Sequence, residues 1–97
     1  MTEHHQADEV AVEQLAQFTH ALRFVSHNQT TNRHRYYLLS WQPTLEGSTV
    51  LVCTWGRMHT HGRSRIVCTA TQPHVQNIVA RIIKRRLQRG YHVAEWH

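Results

Sequence analysis

Hydrophobic residues recur near the end of the chain with the period of an amphipathic helix. Between Pro73 and about Arg89 they fall at three- and four-residue steps. The residues of this apolar stripe are Val75, Ile78, Val79, Ile82, Ile83 and Leu87. Proline is tolerated in a first helical turn, Thr71 can cap that turn, and Gly90 is a natural stop. The pattern therefore predicts a helix from Pro73 to about Arg89.

Four earlier segments have the alternation and the β-branched or aromatic content of strands. They cover residues 23–27, 34–42, 48–57 and 65–71, with turn-forming residues between them. The second segment is apolar on both faces, which predicts a central strand covered by a helix on one side. Pro43 should end it, because proline cannot donate to a ladder. Together the segments predict an antiparallel meander.

The two ends of the chain carry weaker signals. Residues 91–96 predict either a fifth strand or an aromatic latch on the core, and we assign Trp41 and Trp96 to that core. Residues 1–8 have no apolar pattern and are expected to be disordered. From Glu9 to Leu22 a helical stripe recurs. That segment could dock on the domain, form an interface, or fold its acids over a basic surface. A helix whose acidic face is simply solvated is the alternative to the last of these.

These patterns predict an α+β protein. We expect an antiparallel sheet of four to five strands with one C-terminal helix packed on a face, plus an accessory N-terminal helix. The 97 residues suffice for one modest core. We divide them into an acidic leader with a short helix, residues 1–22, and a single domain, residues 23–97.

Neither a membrane span nor a secretion signal is evident in the sequence. No apolar run approaches the roughly 18 residues that a membrane span needs. The acidic N-terminus lacks the apolar stretch of a signal peptide. We expect an intracellular protein that is cytoplasmic, or nucleoid-associated in a bacterium, with no membrane partner. A monomer is favoured.

Charge is distributed unevenly along the chain. Residues 1–20 contain four carboxylates and no Lys or Arg. Residues 21–97 contain all eleven Lys and Arg against two carboxylates, Glu46 and Glu95. Such a basic body implies an anionic partner, with nucleic acid as the leading candidate and a merely solubilising surface as the alternative.

The cysteines and histidines give no specific metal or catalytic pattern. Cys53 and Cys68 are interpreted as buried thiols, with a disulfide as the alternative. The ten histidines include His59 and His61, yet the paired spacings of zinc sites are missing. No nucleophile context, phosphate loop or dinucleotide motif occurs in the sequence. We therefore predict no metal, no cofactor and no enzymatic activity.

The segment Val50–Arg65, VLVCTWGRMHTHGRSR, contains the candidate contact residues. Strand alternation sends Trp55 and Arg57 to one face, while Gly56 leaves no side chain between neighbouring backbones. A flat ring beside a cation suits contact with an anion better than catalysis. Each residue also has a structural interpretation: Trp55 as core filler, and Arg57 as an ion-pair partner.

The order of motifs resembles the WGR domain family, which is named for this triplet. The resemblance runs from about Arg33 to Tyr91, through RHRYYLLSWQPTLEG, VLVCTWGRMHTHGRSR and a helix ending in KRRLQRGY. In the poly(ADP-ribose) polymerases of this family, the tryptophan and arginine of the motif meet a DNA end. The resemblance therefore implies that role for Trp55 and Arg57. His59 departs from the family, which commonly has glycine there, and this bears on the shape of the turn.

We therefore expect a non-enzymatic module that binds DNA with little sequence specificity and with a preference for ends or breaks. RNA is a possible ligand as well. The alternative is a protein–protein interaction module that docks on an acidic partner or enzyme subunit. Arginines would hold phosphates, Trp55 would stack on a terminal base, and the helix cations would track phosphates or form a solvated face. The predicted contact residues are Trp55, Gly56, Arg57, Arg63, Arg65, Lys84, Arg85 and Arg89.

Overall fold

The computed structural model of the protein describes residues 11–97, which form one antiparallel sheet with helices packed on one face. The predicted disorder of residues 1–8 lies outside the described residues. The strands are β1 (Ala21–Asn28), β2 (Arg33–Pro43), β3 (Thr49–Arg57), β4 (Arg63–Thr69) and β5 (His92–Trp96). Residues 11–15 are helical and are called α1, and α2 spans Val75–Gln88. This architecture confirms the predicted α+β class.

The sheet has five strands in the order β4-β3-β2-β1-β5. The first four form the predicted meander, and β5 adds to β1 at the far edge. Because β4 and β5 lie at opposite edges, α2 must carry the chain back across the sheet between them. It runs from the end of β4 to the start of β5, so its last turn lies at the end of the sheet where β1 ends and β2 starts.

The core lies between α2 and one face of the sheet, which we call the helix face. Leu22, Leu39 and Leu51 from three neighbouring strands are fully buried there, together with Val79 and Ile83 of α2. Burying each side chain of this size contributes about 1.5–3 kcal/mol. The predicted stripe of α2 is therefore its packing surface. We call the other side of the sheet the open face, because no helix in the described part of the chain covers it.

Residues before β1 also pack on the helix face. Val12, Ala16 and Phe18 are buried in the same core, and the Phe18 ring stacks on Trp41 with centroids 6.2 Å apart. Of the interpretations given for this segment, the structure supports docking on the domain. Glu13, on α1, remains exposed.

The helix start differs from the prediction. α2 begins at Val75, and its N-cap is His74 in a left-handed conformation, with φ 59° and no side-chain capping bond. Thr71 is not the cap, because a turn over residues 71–74 intervenes. The fourth strand also begins two residues earlier than predicted, at Arg63.

Two predictions at the strand ends, for Pro43 and Trp96, were wrong because both residues lie where the sheet has a free edge. Pro43 stays in β2, opposite Thr49, because β1 pairs with β2 only as far as Ser40 and no donor is needed on that side. Trp96 is 55% exposed and is not a core residue, because β5 is an edge strand at the rim of the core.

Both cysteines are buried free thiols, as predicted. They do not face each other, because an irregularity between Leu51 and Val52 sets Cys68 opposite Leu51 and Arg65 opposite Cys53. Burial raises the pKa of both thiols above the ordinary value, so both stay protonated at neutral pH.

A candidate nucleic-acid interface

Arginines gather at one end of the sheet, which we call the basic pole. It comprises the end of β1, the start of β2, the end of β3, the start of β4, the start of β5 and the last turn of α2. The arginines there are Arg33, Arg35, Arg57, Arg63, Arg65, Arg85, Arg86 and Arg89. The carboxylates of the described residues, Glu13, Glu46 and Glu95, lie on α1, in the β2–β3 turn and near the end of β5. All three therefore lie towards the opposite pole.

Two of these arginines are direct neighbours on the helix face. Arg35 and Arg57 are cross-strand partners in β2 and β3, and both are exposed. Like charges directly opposite each other in a sheet are destabilising. Among residues 11–97 the single ion pair is between His97 and Glu95, so neither guanidinium has a carboxylate partner there. This pair is consequently a place where an external anion would relieve repulsion.

An open concavity adjoins the arginine pair. It has a volume of about 410 Å³ and lies between the β1–β2 turn and the end of β3. Its lining consists of Thr31, Asn32, Arg33, His34, Arg35 and Arg57. These side chains supply hydrogen-bond donors and positive charge around a space large enough for a phosphate group.

Trp55 lies on the helix face between these cations. Its cross-strand partners are Tyr37 in β2 and Arg63 in β4. The side chain is half-buried and packs against the hydrophobic core. Strand alternation places Arg57 and Trp55 on the same face, with Arg65 opposite Cys53 one step further along. The tryptophan thus serves the core while part of it remains accessible beside the arginines.

A stack of arginines and tyrosines connects α2 to this surface. The Arg86 guanidinium lies 4.4 Å from the Tyr37 ring centroid and 5.5 Å from that of Tyr91. The Arg33 guanidinium also lies over the Tyr91 ring, 5.5 Å from its centroid. Cation–π contacts of this kind contribute about 0.5–2 kcal/mol each. Burial raises the pKa of Tyr37, and a hydrogen bond with Cys53 raises it further, so the phenol stays neutral.

The stack was missed in the sequence analysis, as were Arg33 and Arg35. The signal was present for both strand residues: Arg33, Arg35 and Tyr37 alternate in phase with buried Leu39 of the helix face. The position of Arg86 depends on the rotation of α2, which its apolar stripe fixes only approximately. The predicted helix residues Lys84, Arg85 and Arg89 are exposed in the last turns of α2 and after its end.

The turn after β3 folds back over the open face. The Tyr36 hydroxyl donates to the Thr60 carbonyl at 3.0 Å, and the Met58 amide donates to the His34 carbonyl at 2.9 Å. Gly56 lies beneath this turn, where a Cβ atom would come 2.8 Å from the Cα of Gly62. The glycine of the triplet is therefore required by close approach of two backbones.

His59 occupies the left-handed region of the turn, with φ 67°. This is the conformation that glycine adopts without a steric penalty and that other L-residues adopt at a cost. His59 therefore differs from the glycine common in the family in its side chain and not in its backbone conformation, which is the left-handed one that glycine favours.

Other chemistry is not evident in the described part of the chain. Within residues 11–97, no three His, Cys, Asp or Glu side chains already surround a point where a metal ion could sit. The helices of that region include none that is long and apolar enough to cross a membrane.

Comparison with known proteins gives one match. A family model described as WGR domain matches residues 19–96. That range includes all five strands and α2. Searches of curated proteins and of solved structures gave no match.

Replacing Gly56 by alanine should destabilise the fold by about 2 kcal/mol, because the new methyl group meets the Gly62 backbone. The direction of the change in stability is informative, since Gly→Ala at an unstrained position stabilises the fold by about 0.4–1 kcal/mol. The free energy of unfolding, measured by urea denaturation, checks this. An unchanged or increased stability would contradict the close approach.

Replacing His59 by glycine should stabilise the fold by up to about 1 kcal/mol, because the left-handed penalty disappears. For a domain of this size that corresponds to a midpoint about 4–8 °C higher in thermal unfolding. His61→Gly is the matched control, since His61 has no positive φ and should lose stability from the added chain entropy. Destabilisation by both changes would show that the turn is built differently.

Proposed function

The chain belongs to the WGR domain family, and from that premise we propose that it is a binding module for DNA with little sequence preference and a preference for ends or breaks. The observation that carries the proposal is the exposed Arg35–Arg57 pair beside the half-buried Trp55. This cluster lies at a pole where the described residues include no carboxylate.

Phosphate binding would provide the affinity. Arg57, Arg63 and Arg65 present guanidinium forks on the helix face, and Arg35 doubles the charge beside Arg57. A phosphate in the adjoining concavity would turn a repulsive pair of cations into an attractive triplet. If about five phosphates are engaged, log affinity should fall against log salt with a slope of about −4 to −5.

The exposed cations of α2 add to the positive charge of the basic pole. Lys84, Arg85 and Arg89 lie at the end of the helix that reaches the basic pole. Phosphate contacts of this kind position a nucleic acid without reading its sequence. We assign them to the backbone of the DNA away from the end.

Trp55 would provide the structural selectivity. Part of its side chain is accessible, and the remainder packs on the core, which holds its orientation. Within an intact duplex each base is covered by its neighbours, whereas an end, a nick or a single strand offers an uncovered base face. Stacking of Trp55 on such a base therefore favours ends. RNA ends offer the same surfaces and belong in the test.

The rival function uses the same surface to dock an acidic protein partner. Alternating basic and aromatic groups suit a carboxylate-rich surface as well as phosphates. No contact in the described residues favours this alternative specifically. It becomes the better account if nucleic acids bind weakly.

The proposal is tested by fluorescence anisotropy with a labelled 5′-phosphorylated duplex and a dumbbell of the same sequence closed at both ends. Tighter binding of the open duplex is expected at two salt concentrations, with the steep salt dependence given above. Equal and steeply salt-dependent binding would leave a non-specific DNA binder. Weak binding of both would favour the protein-docking module.

Trp55→Ala should abolish the preference for the open duplex while leaving the salt slope nearly unchanged, because no charge is lost. Arg57→Gln should make the slope less steep by about 1 and should weaken the binding of both DNA ligands to the same extent. Trp96→Ala is the matched tryptophan control, since Trp96 is exposed towards the opposite pole. A Trp55→Ala protein that keeps its fold and still prefers ends would contradict the assigned role.

A further inference from the structure

Three histidines, whose imidazoles are of a type that can bind metals, form a row across the open face of the sheet. His34 of β2 is the cross-strand partner of His27 of β1. His92 of β5 pairs with Val25, two residues before His27, and therefore lies diagonally beside it. The row is on the opposite face from Trp55 and Arg57. His27 and His34 are seven residues apart, on consecutive strands, and His92 is far from both in sequence. The spacing matches no paired zinc motif, so the sequence alone does not reveal the row.

Two of these imidazoles are already at ligand spacing. The Nδ1 atoms of His27 and His34 lie 3.0 Å apart, and their ring centroids are 5.3 Å apart. Two nitrogens bound to one zinc ion at about 2.0–2.1 Å are separated by a little more than 3 Å. The pair needs only a small outward movement to hold a metal ion.

A third imidazole is close to this pair. The centroid of the His92 ring is 6.3 Å from that of His27. Both side chains are exposed, so a change of rotamer meets little obstruction. A water molecule would complete a four-coordinate site.

We propose that His27 and His34 form a two-imidazole site for Zn²⁺ on the face opposite Trp55 and Arg57, and that His92 joins them as a third ligand after a change of rotamer. Imidazole is a good ligand for Zn²⁺ and for neighbouring divalent metals such as Ni²⁺ and Cu²⁺. This inference does not depend on the proposed function, because Zn²⁺ binding is measured without nucleic acid. His34 also lines the concavity beside Arg35 and Arg57, so the His34 variant is not used as a control for DNA binding.

The surroundings set the strength of the site. Arg23 lies over the Tyr36 ring on the same face, 5.9 Å from its centroid, and donates to the Met58 sulfur. Its charge opposes cation binding, and no carboxylate forms part of the row. Affinity must therefore come from the imidazole bonds, so the site should be reversible.

A bound ion would link side chains of neighbouring strands at this pole. His27 and His34 flank the β1–β2 turn, and His92 starts the edge strand β5. A ligand that binds the folded state alone raises its stability by mass action. Zn²⁺ should therefore raise the midpoint of thermal unfolding.

The test is isothermal titration of the full chain with Zn²⁺, in a background carrying His4→Gln and His5→Gln to remove the consecutive histidines of the leader. About one Zn²⁺ per chain should bind. His27→Gln and His34→Gln should each weaken binding by at least about tenfold, since even outer partners of a ligand contribute that much. His74→Gln, a change of an isolated exposed histidine, should have no effect.

Two readouts separate a true site from adventitious binding. Zn²⁺ should raise the unfolding midpoint of the background protein and leave that of His34→Gln unchanged. Imidazole nitrogen chemical shifts should report coordination through Nδ1 at both His27 and His34. Binding that survives both substitutions, or that is absent from the background protein, would overturn the proposal.

Discussion

The register between β2 and β3 is the constraint on which the surface depends. It sets Trp55 opposite Tyr37 and Arg57 opposite Arg35, and it puts all four side chains on the helix face. Because side chains alternate along a strand, a slip of one residue would send this set to the other face and bring Gly56 into the core layer. The same register leaves Gly56 under the returning turn, where only a residue without a side chain fits. The three residues of the triplet therefore differ in their structural roles: Trp55 packs on the core with part of its side chain accessible, Gly56 gives backbone clearance, and Arg57 adds an exposed charge.

The basic pole has an unfavourable charge distribution that the rest of the fold must offset. Arg35 and Arg57 repel each other, and no described carboxylate neutralises them. Burial of apolar residues from four strands and both helices supplies the opposing free energy. Stacking of Arg86 on Tyr37 and Tyr91 also removes one cation from solvent without an acidic partner. Such an arrangement lowers stability, and the proposed binding of an anion would offset that cost.

Much of this architecture was predictable from local patterns. The apolar stripe of α2 and the alternation along β1 to β4 predicted these elements and a helix packed on one face of the sheet, because period and burial are directly linked. Contacts between residues on different strands were harder to predict from the sequence. The Arg35–Arg57 pair requires the register, the exposure of Trp96 requires knowing that β5 is an edge strand, and the row of histidines requires both.

Backbone conformation was the least predictable feature. Thr71 was a reasonable cap by residue type, yet the chain turns over residues 71–74 and the helix begins after His74 instead. His59 keeps a conformation typical of glycine, which no residue preference would have suggested. Both positions depend on how the connecting turn closes between fixed elements, and so on the tertiary structure.

The three tryptophans offer the most direct test of where DNA binds, because Trp55 lies at the basic pole, Trp96 towards the opposite one, and Trp41 packs on Phe18. Their indole N–H signals can be followed in a nitrogen–proton correlation spectrum as a short open duplex is added. Our account predicts that the Trp55 signal shifts while those of Trp41 and Trp96 stay in place. A shift of Trp96 with an unmoved Trp55 would place the DNA at the other end of the sheet and contradict the account.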